Sequence, residues 1–423
     1  MRRPIRKAPP LYSWMLGALM LTCSTPARDL FTFKVSVDQS PVVSKGVNDI
    51  RYFLELFDDV SLGEDYPNYN PDSSVVAIVD ARGIKGILTY LPNSQELRLT
   101  LPQLGLDLRF PGRTREESQE MMEDWFKGDL DIAGSATTVQ LKKLLHVLAK
   151  YSPVEPIAGN PNSLQSRMFM ADFDRATLSP RVQLSGLPPD VGKPKGAFYV
   201  DADYGAVYRA DAFDIYTVSL SLGGVINFQN RHWAMLLDWP FMGSWTENAE
   251  SIFTYPGLGV QYRVTDWWDL TAFGRAGIGG SWKVGALGGI YSGTLTSYLH
   301  HDFGNISVGW GLLGGFSHTI DDIEIANYNI TYGLLNYPLQ TGLNFSGPLG
   351  FNLGSKSAGW SFYGNYTHLF GTDLFLEDFY ELGAGFLLRT EARGTRTDWM
   401  RLRVGYLFGK DYQGLSTSLT FNF

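Results

Sequence analysis

Gly414-Leu415-Ser416-Thr417-Ser418-Leu419-Thr420-Phe421-Asn422-Phe423 is the stretch from which the architecture is read. Extended, it places Leu415, Thr417, Leu419, Phe421 and Phe423 on one face and Ser416, Ser418, Thr420 and Asn422 on the other. The apolar face has period two, and the stretch stops on an aromatic residue.

The same alternation runs back to Ala197. Tyr216, Val218, Leu220 and Leu222 alternate with Thr217, Ser219 and Ser221, and Leu258, Val260, Tyr262 and Val264 with Gly259, Gln261 and Arg263. Further on come Ile306, Val308, Trp310 and Leu312, then Tyr380, Leu382, Ala384, Phe386 and Leu388, then Met400, Leu402, Val404, Tyr406 and Phe408. A soluble sandwich alternates too, but its apolar face is the inner one. Here aromatic residues gather at segment ends as an interfacial girdle (Trp239, Trp267, Trp268, Trp360, Tyr380, Trp399), and the other face is Gly, Ser, Thr and Asn with occasional charge. Segments of about ten residues suit a tilted strand crossing hydrocarbon. Backbone groups cannot stay unpaired in lipid, so such strands must close into a barrel.

The closing strand resembles that of bacterial outer-membrane β-barrels, with Leu419, Phe421 and Phe423 as the residues that carry the likeness. Over residues 197–423 the resemblance implies an outer-membrane location, contact with outer-membrane lipids, and recognition of the last strand by the barrel-assembly machinery. Autotransporters are similar in order, an export signal, an N-terminal unit and a C-terminal barrel. The chain departs from them in two ways. Its N-terminal unit lacks repetitive Gly/Asn-rich rungs, and Pro188, Pro189 and Pro194 stand where those proteins thread a helix through the pore.

Twelve strands are expected, and fourteen if 326–353 contributes three. With twelve, Val264 to Trp267 is a periplasmic turn, Gly243 to Ser251 and Thr319 to Glu324 are external loops, and the closing strand ends in the periplasm. The N-terminal unit is placed in the periplasm as well.

The 423 residues are 14% aromatic and 18% charged, with a net charge of -8. No basic surplus exists to displace counterions from phosphate, which argues against nucleic acid as a partner. Arg2, Arg3, Arg6 and Lys7 precede an apolar run from Leu11 to Thr22, the pattern of an export signal over 1–27. Cleavage after Ala27 removes Cys23, the one cysteine; lipidation of Cys23 is the alternative. The order expected is a signal, an α+β periplasmic domain (28–176), a Pro/Gly-rich linker (177–196) and the barrel (197–423).

In the N-terminal unit, Leu30 to Val37 alternates and Val47 to Phe57 has helical spacing. Four strands follow between Ser74 and Phe110, then a helix announced by the capping box Thr114…Glu117, and another from Thr138 to Lys150. His146 is read as a surface histidine, and Asp58, Asp59, Glu64 and Asp65 as a solvated acidic loop that does not match a calcium loop. Ile157 to Ser163 is loop chemistry.

Chemistry, if present, rests on inward charges. Glu381 and Arg389 are expected to face Arg401 and Arg403, with Arg263, Asp269 and Arg275 as a second group. They either line a selective constriction or neutralise one another inside a narrow barrel. Neither His300-His301-Asp302 near Ser297 nor Ser317-His318 forms a nucleophile, base and orienter set, so no catalytic residue, metal or cofactor is assigned. His368 falls in the lipid-facing register. The expected function is non-enzymatic: passage of small polar solutes, or anchorage of the periplasmic unit to an unidentified partner or the cell wall. A lipid or lipopolysaccharide hydrolase and an autotransporter-like export barrel are the alternatives.

Overall fold

The computed structural model describes residues 29–127, 137–178, 195–210, 213–228, 232–321, 323–325, 328–330, 332–392 and 395–423. The expected signal, Cys23 and most of the linker, including Pro188, Pro189 and Pro194, lie outside them.

Alternation in the N-terminal unit gives six antiparallel strands: β1 (Phe31–Val37), β2 (Val43–Val47), β3 (Val75–Ala81), β4 (Ile84–Tyr90), β5 (Leu97–Leu101) and β6 (Leu106–Phe110). They lie in the order β2-β1-β3-β4-β5-β6. Phe31, Phe33, Val75, Leu88, Tyr90, Leu97 and Phe110 are buried on one face. The helical spacing from Val47 overreached. Only Ile50–Glu55 is helix (α1), and Val43–Val47 pairs with β1 as an edge strand. The acidic loop is also corrected: Asp59–Asp65 is a helix (α2), because Asp58 caps it by accepting the Ser61 amide at 2.6 Å. Helix α3 (Arg115–Lys127) opens as its sequence announces, with Thr114 Oγ1 accepting the Glu117 amide at 3.1 Å. The Glu117 carboxylate reaches back one residue further than the standard box, to the Arg113 amide at 2.7 Å. Helix α4 spans Thr137–Tyr151, and His146 on it is half-buried.

The barrel wall begins with β7 (Lys195–Ala210), β8 (Phe213–Asn227), β9 (Trp233–Thr246), β10 (Ala249–Thr254), β11 (Gly257–Thr265) and β12 (Trp268–Ser281). It continues with β13 (Ala286–Phe303) and β14 (Ile306–Thr319). β15 (Ile323–Ile325) and β16 (Tyr328–Ile330) pair only with each other, so 326–353 adds one wall strand, β17 (Leu335–Leu353). β18 (Lys356–Gly371), β19 (Asp378–Ala392), β20 (Thr395–Gly409) and β21 (Tyr412–Asn422) complete it. β10 and β11 both pair with β9 and β12 and are halves of one strand, broken at Tyr255-Pro256 where proline lacks an amide hydrogen. β21 pairs with β7, so the sheet closes on itself with twelve strands.

Side-chain direction obeys the expected register. Leu220 is 44% exposed on the outer surface while its neighbour Ser219 is 8% exposed within. A surface carrying Tyr216, Val218, Leu222, Leu312, Leu382 and Leu415 outward belongs in hydrocarbon, and the wall is that of a transmembrane barrel.

The barrel has two ends. Phe198 and Phe423 exchange backbone hydrogen bonds at one, where the 266–267, 304–305 and 354–355 turns also lie. The hairpins at 247–248, 282–285, 372–377 and 410–411 lie at the far end. The segment 164–178 forms a helix, α5 (Leu164–Leu178), inside the barrel, packed on β12, β13 and β14. It enters at the far end, where Gln165 bonds Ser317 and Asn336, and descends until the Leu178 carbonyl accepts from Arg401 at 3.2 Å.

The N-terminal unit therefore sits on the far end. The Ile50 amide donates to the Lys283 carbonyl (2.8 Å), and the Phe375 and Leu376 amides donate to the carbonyls of Ala149 (2.9 Å) and Gly159 (3.0 Å). The expectation that the unit and the closing strand's end share one side fails, because a lumenal helix carries the chain from one end to the other. The prolines do not prevent it, since the helix lies upstream of them.

Candidate functional site

Among the described residues, charges from many elements converge in the lumen. Its occupant, α5, has no strong sequence signature: Leu164-Gln-Ser-Arg-Met-Phe-Met-Ala-Asp-Phe-Asp-Arg-Ala-Thr-Leu178 mixes apolar and charged residues around its whole circumference. Such a helix suits an enclosure that is polar in parts on every side.

Arg275 is the hub. Its side chain is fully buried, and it donates to Asp172 of α5, to Asp238 of β9 at 2.7 Å and to the Tyr255 carbonyl at 3.0 Å. The last bond takes up a carbonyl at the strand break. Asp172 also accepts from Thr294 Oγ1 at 2.7 Å, and Asp238 accepts from Tyr199 at 2.7 Å and from Arg175 at 3.1 Å. Arg175 of α5 lies 4.2 Å over the Tyr199 ring and reaches Asp201 at 3.2 Å. Between Asp172 and Arg175 on α5, Asp174 accepts from Arg403 at 2.8 Å. Opposite charges on helix and wall thus meet within about one turn of α5, each hydrogen-bonded, which is the condition for burying them.

The charges singled out from the sequence all lie inside, in a different grouping. Arg389 and Arg401 share Asp398 (2.9 and 2.6 Å), while Glu381 accepts from Tyr363 (3.0 Å) and Asn365 (3.3 Å). Arg403 meets the helix. Arg263 pairs with Asp269 at 3.5 Å, apart from Arg275. Asp172, Asp174 and Arg175 escaped sequence reading because α5 has no alternation to place it in the barrel. Tyr199 and Asp238 escaped because they meet across β8, each in register with Gly223, and no pattern in one strand alone shows that neighbour.

Near the far end the lumen is apolar. Phe213, Ile215, Met242, Phe253, Ile290, Leu313, Leu369, Phe379 and Leu407 point inward and are buried, in one core continuous with Phe31 and Phe33 of the N-terminal unit. The expectation of a small-polar inner face is overridden there by this apolar group, which Ser317, Thr319 and Asn336 interrupt.

On the outside, Trp267, Trp268, Trp360 and Trp399 ring the end that carries Phe423, and Tyr380 lies near the far end beside Tyr366 and Phe408 (5.0 and 5.4 Å between rings). Trp239 is at mid-strand beside the break, donating to Thr254 at 3.0 Å. His368 lies in the outward register and bonds Asp378 at 2.7 Å. β13 continues through His300-His301-Asp302, Ser297 accepts from the Trp268 indole at 2.9 Å, and Ser317 is taken by Gln165. Among the described residues no three His, Cys, Asp or Glu side chains are arranged to hold a metal.

No protein-family model and no curated protein matches the chain. Among solved structures it is similar to the β-domain of the Bordetella autotransporter BrkA, at 12% identity and a TM-score of 0.43, over 54% of this chain and 98% of that one. It is similar to the translocator domain of autotransporter NalP from Neisseria meningitidis at 13% identity and 0.41, over 61% of this chain and 95% of the other. For LpxR from Salmonella typhimurium the figures are 8% and 0.35, over 54% and 99%. Matches at this level bear on neither activity nor partner. By its own closed wall and outward apolar belt, the chain is a twelve-stranded barrel of the outer-membrane type, with its own helix running through the lumen.

Proposed function

We propose that this protein is a non-enzymatic outer-membrane anchor that holds its N-terminal six-stranded unit on the external face of the membrane. The observation that carries the reading is the course of α5, which puts the unit and the end of the closing strand at opposite mouths of the barrel. If the closing strand ends in the periplasm, as in barrels whose last strand the assembly machinery reads, the unit is outside the cell. Leu419, Phe421 and Phe423 are then the residues offered to that machinery, and outer-membrane lipids cover the belt. A lumen occupied by a hydrogen-bonded helix favours anchorage or an export-type barrel over solute passage.

The test is labelling of intact cells with a membrane-impermeant thiol reagent, with the parent chain as the blank. Glu116→Cys samples an exposed position of α3, and Ser355→Cys the exposed β17–β18 turn. Labelling of Glu116→Cys in intact cells, with Ser355→Cys labelled only after permeabilisation, is the expected result. The reverse pattern places the unit in the periplasm and overturns the proposal.

A further inference from the structure

Residues 152–163, between α4 and α5, have no helix or strand, yet every one of them is buried. Irregular segments ordinarily run on the surface because their backbone groups need water. Here protein groups replace it. Asn160 Nδ2 donates to the Glu155 carbonyl (2.8 Å), the Leu164 and Gln165 amides to the Pro156 and Ile157 carbonyls (2.8 and 3.0 Å), and the Gly159 carbonyl accepts from Leu376 of the barrel.

Glu155 is fully buried and held from two bodies. Arg82, in the β3–β4 turn of the N-terminal unit, donates to one carboxylate oxygen at 2.9 Å, and Tyr332, on the barrel segment leading into β17, donates to the other at 2.9 Å. Ile157 fits against Gly288 and Tyr332, so closely that a side chain at 288 would press on both. The segment fills the far mouth between the N-terminal unit and the apolar upper lumen.

We propose that residues 152–163 are a lock, keyed by Arg82, Glu155 and Tyr332, that seals the far mouth and keeps the N-terminal unit permanently seated on the barrel. The unit is a fixed lid; lifting it strands a buried carboxylate without its cation and wets the apolar upper lumen. The lock is independent of which compartment the unit faces.

Two measurements on the full chain test this: hydrogen exchange of the 152–166 amides in detergent, and conductance in planar bilayers. The parent is expected to be protected and electrically silent. Arg82→Met is expected to raise exchange there about a hundredfold or more and to produce opening events, since one partner of a buried pair is gone. Tyr332→Phe, a milder change that keeps the fold testable, is expected to give about tenfold. Arg82→Met/Glu155→Leu, which removes the charge with its partner, should restore protection and silence. Lys150→Ala breaks an exposed pair with Asp373 (2.6 Å) and a ring contact with exposed Tyr151 (5.5 Å), and should leave both readouts at the parent value. The lock is overturned if Tyr332→Phe and Arg82→Met exchange like Lys150→Ala, or if the double variant is no better than Arg82→Met.

Discussion

Replacing Arg275 by Met tests whether the lumenal charges are held by one another. The substitution deletes three bonds at once: to Asp172, to Asp238 and to the Tyr255 carbonyl. The losses are unequal. Asp238 retains Arg175 and Tyr199, whereas Asp172 is left with the Thr294 hydroxyl in a site with no solvent exposure. Breaking a buried pair from one side costs about 3–5 kcal/mol, most of it the penalty of the stranded charge. Arg403→Met is the comparison: its partner Asp174 is 34% exposed, water can replace the guanidinium, and a loss of about 1–2 kcal/mol is expected. Adding Asp172→Asn to Arg275→Met removes the stranded charge and should recover more than half of the loss. The assay is urea unfolding in lipid vesicles followed by tryptophan fluorescence, with folding checked by heat-modifiable gel migration. The reasoning is refuted if Arg275→Met loses no more than Arg403→Met, or if Asp172→Asn gives nothing back.

Other expectations follow from local geometry. Leu220→Arg puts a cation into the lipid belt and should cost about 2–4 kcal/mol if the residue is near the midplane, as vesicle unfolding would show; a cost near zero contradicts the outward register. Gly159 has φ +101°, and a Cβ there would collide with the Ala149 carbonyl. Gly159→Ala should therefore destabilise by about 1–3 kcal/mol, read as a lower urea midpoint; an unchanged midpoint contradicts it. In the N-terminal unit, burial and then a hydrogen bond to Asp59 push the Tyr69 hydroxyl up to about 12 from the ordinary 10.0. The folded state holds that proton longer, so its stabilising contribution is full below pH 10 and is lost as pH rises toward 12. Tyr69→Phe should remove one late-titrating tyrosinate from the ultraviolet titration, and superimposable curves would sink the assignment.

The wall was legible because a strand between lipid and lumen must alternate, and one residue of slip would turn every apolar side chain inward. Gly414 to Phe423, Tyr216 to Leu222 and Tyr380 to Leu388 each declare their outer face without reference to any other part of the chain. The apolar far end went unread, although its signal is present in the chain. Ile215-Tyr216, Phe379-Tyr380 and Leu407-Phe408 are apolar on both faces, which a water-filled lumen does not allow.

By itself the sequence determined the twelve-stranded wall, its inner and outer register and, in the N-terminal unit, the β3–β6 meander and the capped helix α3. Those depend on local periodicity, side-chain size and turn chemistry, which act over a few residues. Only the tertiary structure decided that 164–178 lies in the lumen, that Asp172, Asp174 and Arg175 answer Arg275, Arg403, Asp201 and Asp238, and that the N-terminal unit stands opposite Phe423. These pairings join positions up to 229 residues apart. Their energy exists only when the closed wall excludes water and leaves each buried charge the other as its partner.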